Sequence, residues 1–101
     1  MAQSADIAEK LKELEKRFKA RLSGDIEAIK TLQSEADLDN LISICHKLAG
    51  SAGTFGFQNL SMDMKEFELK LIKLKQTQIS ESAFNQLKID ACQIIEKVTK
   101  A

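Results

Sequence analysis

Apolar residues recur at helical spacing in five stretches of the chain. In the first, from about Ser4 to Leu22, Ile7, Leu11, Leu14 and Phe18 stand four, three and four residues apart, the repeat of one helix face. Gly24 is a natural end for that helix, and Asp25 a natural cap for a short second one carrying Ile26, Ile29 and Leu32. A third helix is expected from near Asp37 to about Gly53. Leu38, Leu41, Ile44, Cys45, Leu48 and Ala52 form its core stripe. Thr54-Phe55-Gly56-Phe57 then makes a turn, with both phenylalanines expected to fold back onto the end of the bundle.

The fourth helix spans about Gln58 to Gln76 around Leu60, Met64, Phe67, Leu71 and Leu74. Ser80 opens a fifth, reaching Lys100, where Phe84, Leu87, Ala91, Ile94 and Val98 repeat at three and four. The chain contains no proline, so caps and glycines must set the helix ends. Helices of this length on short turns pack as antiparallel neighbours. The expected fold is therefore all-α, an antiparallel four-helix bundle with an additional N-terminal helix. It forms one domain over residues 1–101, with residues 1–3 as a flexible tail. Met62, Leu69 and Ile72 make a second apolar patch on the fourth helix, expected to be covered by the first helix or to serve as a dimer contact.

Composition narrows the function classes. Fifteen basic and fifteen acidic residues cancel, so no broad field points to nucleic acid or to an anionic membrane. No apolar run approaches the roughly 20 residues of a membrane span. The polar start, Met1-Ala2-Gln3-Ser4-Ala5-Asp6, lacks the apolar core of a signal peptide. A cytoplasmic monomer is the expectation. Cys45 and Cys92 fall on apolar stripes, where free cysteine behaves as a small hydrophobe. Two cysteines without a secretory signal make no disulfide framework. No metal site is expected, because Cys45 and His46 diverge on a helix and no further ligand spacing completes a set. The same divergence excludes a Cys–His nucleophile pair.

The only histidine, His46, sits among small residues in His46-Lys47-Leu48-Ala49-Gly50-Ser51-Ala52-Gly53-Thr54-Phe55-Gly56-Phe57. At about 100° per residue it lies roughly 140° around the helix from Leu41, facing away from the core. Its helical neighbours are Ile42, Ala49, Gly50 and Gly53. Each interior helical glycine costs about 1 kcal/mol relative to alanine. Two of them on the histidine's own face indicate a surface cleared for something large to approach. Ala49, Gly50 and Gly53 are thus expected to give docking clearance, with Leu38, Ile42 and Lys47 as partner contacts.

This segment closely resembles the phosphoacceptor motif of histidine-containing phosphotransfer (HPt) domains. The family pattern is roughly His-x-Leu-Lys-Gly-Ser/Ala-Ala/Ser followed by a loop with another glycine. His46, Leu48, Gly50, Ser51, Ala52, Gly53 and Gly56 fall on it in register. The family's lysine three positions after the histidine is Ala49 here, and Lys47 points about 100° away around the helix. A glutamine that the family often places on the following helix, to bond the imidazole, corresponds to Glu68. On its own helix Glu68 borders the core stripe. From there it could accept a hydrogen bond from Nδ1–H of His46, fixing the tautomer and leaving Nε2 as the nucleophile.

The resemblance implies a phosphocarrier and not an enzyme. His46 would take a phosphoryl group from a phosphoaspartate of a response-regulator receiver domain and pass it to another receiver. A hybrid sensor histidine kinase is a further candidate partner. The chain has no Gly-x-x-x-x-Gly-Lys-Ser/Thr loop and no acidic cluster for magnesium. No cofactor is expected on this chain, the magnesium being supplied by the partner receiver. Two other classes compete with this reading: a non-phosphorylated helical adaptor that docks a receiver, and a bundle that oligomerises through Met62, Leu69 and Ile72.

Overall fold

The computed structural model describes residues 2–100, with side chains over 7–100. Four α-helices and one short 3-10 turn account for nearly all of it: α1 (Ala2–Lys30), the turn Glu35–Asp37, α2 (Leu38–Thr54), α3 (Gln58–Lys75) and α4 (Glu81–Thr99). The described residues include no strand. α2 and α3 form the most extensive pairing, α4 packs on α3, and α1 lies along α4 with a lighter contact to α2.

The break expected at Gly24 does not occur, and the first two helices are one. Phe18, Leu22, Ile26 and Ile29 are all buried on a single continuous face of α1. Their burial, about 1.5–3 kcal/mol for each large side chain, outweighs the roughly 1 kcal/mol that one interior glycine costs. Asp25 therefore sits inside a helix and does not cap one. α1 already includes Ala2 and Gln3, so the expected tail is helical there, while Met1 lies outside the described residues.

Two further expectations are corrected by the packing of α1. Ile7, Leu11 and Leu14 continue the spacing of Phe18 but are 60%, 58% and 42% exposed. α1 is about 43 Å long at 1.5 Å per residue, and the bundle ends near Phe18. The molecule accordingly measures 59 × 21 × 18 Å. α1 also does not cover the second patch on α3, for Met62, Leu69 and Ile72 are exposed.

Local chemistry sets the remaining ends. Ser34 Oγ accepts from the Ala36 N–H at 3.3 Å, and Asp37 Oδ2 accepts from the Gln33 N–H at 2.9 Å. These bonds bracket the turn leading into α2. At the far end Phe57 N–H donates to Ala52 O at 2.8 Å and Gly56 N–H to Gly53 O at 3.3 Å. With Gly56 at φ +85°, this is the Schellman closure that glycine allows. It turns Phe55 and Phe57 back onto Phe18, their ring centroids 5.0 and 4.9 Å from its own. Ser80 Oγ caps α4 by accepting from the Ala83 N–H at 3.0 Å.

Candidate functional site

His46 lies midway along α2, on the edge where α2 meets α3. Leu41, Cys45 and Leu48 face the core and are buried, which turns His46 outward and leaves its side chain 73% exposed. Across the edge, α3 buries Met64, Phe67 and Leu71. That places Glu68 at the border, its side chain only 16% exposed. Nδ1 of His46 stands 2.8 Å from Oε2 of Glu68. A carboxylate can only accept, so the neutral imidazole that makes this bond carries its proton on Nδ1. Nε2 then keeps its lone pair.

The surroundings divide into open and closed parts. Gly50 is exposed, and a Cβ built on it would meet nothing within 4 Å. Lys47 is exposed too. Gly53 instead gives close packing, since a Cβ there would stand 3.3 Å from Ser61 Oγ. Ala49 is 2% exposed, pressed beneath α3, so it lends the surface no clearance of its own. Leu38, expected to touch a partner, is buried beside Leu41 at the start of α2 and offers no such contact. Ile42 is half-buried and packs against the core.

Ser61 is a residue of the site that helical spacing alone does not reveal. It is a buried hydroxyl that donates to Ala49 O at 2.8 Å and so ties the two helices together. Its signal was a serine one residue from the Leu60–Met64 stripe, where a solvated polar residue looks the same. Asp39 and Lys75 pair across the same edge at 2.8 Å. Directly under the site, burial pushes the Cys45 thiol up to about 12, with the nearby Glu68 carboxylate and Cys92 adding to the effect. Cys45 is therefore a core group beneath the imidazole and not a second nucleophile. Cys92 is buried as well. No group of three or more His, Cys, Asp or Glu among the described residues could hold a metal, and no described helix is long and apolar enough to cross a membrane.

No curated protein and no solved structure matches the chain significantly. The family model described as "Hpt domain" matches residues 4–97. That span takes in α2 and α3 whole, nearly all of α1 and α4, the exposed histidine and the carboxylate bonded to it. The chain belongs to the Hpt domain family, whose members are phosphocarriers of His-Asp phosphorelays that work with response-regulator receiver domains.

Proposed function

We propose that this chain carries a phosphoryl group on Nε2 of His46, taking it from the phosphoaspartate of one receiver domain and passing it to another. The observation that carries the reading is the 2.8 Å contact between His46 Nδ1 and Glu68 Oε2 on an exposed helix edge. Imidazole is largely neutral at cytoplasmic pH, so a ring protonated at Nδ1 presents a free lone pair at Nε2.

In the forward step that lone pair attacks phosphorus. The acyl-phosphate O–P bond breaks, and the aspartate leaves as a carboxylate. The ring keeps its Nδ1 proton and becomes cationic, and the Glu68 carboxylate beside it compensates the charge. Because the bond to Glu68 persists throughout, ring orientation is set before the partner arrives. The return step to a second receiver runs the same changes backwards. The receiver supplies the magnesium and the groups around the transferring phosphoryl, while this chain supplies a positioned nucleophile. Gly50 lets the partner's loops come close to the ring, with Lys47 and Ile42 at the margin of the contact. A cytoplasmic setting, action as a monomer and a hybrid sensor kinase among the partners belong to the same reading.

The test is transfer from a phosphorylated receiver to the native chain and to His46→Gln. A label that is acid-labile and base-stable, and is lost in the variant, is the expected result. Absence of label across a broad receiver panel, with binding retained, would replace the carrier by a docking adaptor.

A further inference from the structure

We infer that Lys65 is the cation that meets the phosphoryl group on His46, reaching it from α3 across the edge opposite Ala49. The inference rests on His46 being the phosphoacceptor.

Three contacts across the α2–α3 edge share one antiparallel register. Asp39 faces Lys75 and His46 faces Glu68, each at 2.8 Å. Gly53 faces Ser61, whose hydroxyl is 3.3 Å from the glycine's Cβ position. Each step of seven residues up α2, from 39 to 46 to 53, matches a step of seven down α3, from 75 to 68 to 61. The register leaves little freedom for what lies between. Lys65 is three residues from Glu68, and so stands opposite Ala49, about 4.5 Å along the helix axis from the histidine.

Direction and accessibility agree with that placement. Lys65 lies about 60° around α3 from Glu68, on the solvent side, and it is exposed. Among the described residues it enters no ion pair. Beside Ala49 the surface is open at Gly50, which has nothing within 4 Å of its Cβ position. An ammonium on a flexible four-carbon stem can therefore swing into the space over Gly50 and beside the ring.

Charge supplies the need for it. A phosphoryl group brings about −1.5 to −2 at neutral pH, and here it would arrive next to the Glu68 carboxylate. The cationic ring and the Glu68 carboxylate cancel one another, which leaves the phosphoryl's own charge unbalanced, and a nearby ammonium would favour its ionised form. The other nearby cations are committed or turned away. Lys75 is paired with Asp39, and Lys47 lies about 100° further around α2 than His46. Lys65 is left to balance the site.

Phosphoramidate loads the ring without a receiver: Nε2 forms the new N–P bond as the donor's P–N bond breaks and ammonia leaves. The experiment follows the 31P resonance of the loaded chain against pH in the native protein, Lys65→Gln, Lys65→Arg and Lys73→Gln. The expected result is a phosphoryl titration midpoint higher by about half a pH unit or more in Lys65→Gln, restored in Lys65→Arg and unchanged in Lys73→Gln. A Lys65→Gln midpoint equal to the native one, or an equal shift in Lys73→Gln, overturns the assignment. A native chain that takes no phosphoryl from phosphoramidate overturns the phosphoacceptor reading, and this inference with it.

Discussion

The hydroxyl of Ser61 donates to the main-chain oxygen of Ala49 at 2.8 Å and lies 3.3 Å from the place a Cβ on Gly53 would occupy. One small side chain thus bonds α2 and fills its notch. The consequence reaches His46, because the same register holds the ring opposite Glu68. Ser61→Ala should cost about 1 kcal/mol in chemical denaturation. Its transfer rate should also fall several-fold, as the His46–Glu68 contact loosens. Unchanged transfer with reduced stability would confine Ser61 to a packing role.

Gly50→Gln separates docking from folding. The position is helical, exposed and unobstructed, so a side chain there should raise stability by about 0.5–1 kcal/mol. The same side chain would stand where a receiver must approach. Transfer from a receiver should drop at least about tenfold, equivalent to 1.4 kcal/mol, while labelling by phosphoramidate stays near native. Paired melting curves and transfer assays check this.

The continuity of α1 is tested at Gly24. Its Cβ position is empty and its neighbours bury one continuous face, so Gly24→Ala should stabilise by about 0.5–1 kcal/mol. Gly56→Ala should do the reverse by about 1 kcal/mol, since φ is +85° there. Were α1 broken at Gly24, alanine would give no such gain.

Asp25 sets a pH dependence. Oδ2 is buried without a partner, and burial raises the carboxyl above its ordinary value, partly offset by Arg21. Below the ordinary value of 3.8 both folded and unfolded chains hold the proton, and the group has no effect. As pH rises past it the unfolded chain releases its proton first. Stability is therefore lost up to the raised folded value and stays lower at neutral pH. Asp25→Asn should melt a few degrees above the native chain at pH 7, with the difference vanishing near pH 3. Thermal melts across that range decide it.

Much of the site was legible in the sequence because helical spacing alone assigns faces. Leu41, Cys45 and Leu48 point inward, so His46 must point out, and Glu68 falls at a border for the same reason. Errors arose where one side chain serves two helices. Wheel geometry places Ala49 and Gly53 on the histidine's side of α2 but cannot show that α3 leans over that side. Leu38 belongs to the core, as its own stripe indicates, and not to the partner face. Gly24 misled because a glycine signals an end only when the apolar face also ends there. Ile7, Leu11 and Leu14 show the opposite failure, a regular stripe that the bundle leaves exposed.

That uncovered stripe divides a helix that geometry leaves whole. From about Arg17 onward α1 shares the cooperative unfolding of the bundle, since breaking it there exposes Phe18 and Leu22. Ahead of that point the described side chains, 7–17, are all exposed, and an isolated helical stretch of about 15 residues or fewer is marginal in water. Amide protons should exchange at close to peptide rates near Ile7 and grow steadily more protected toward Leu22. α1 is one rod in shape, yet its uncovered half should unwind well before the half packed at Phe18 and Leu22, and His46 should keep its support throughout.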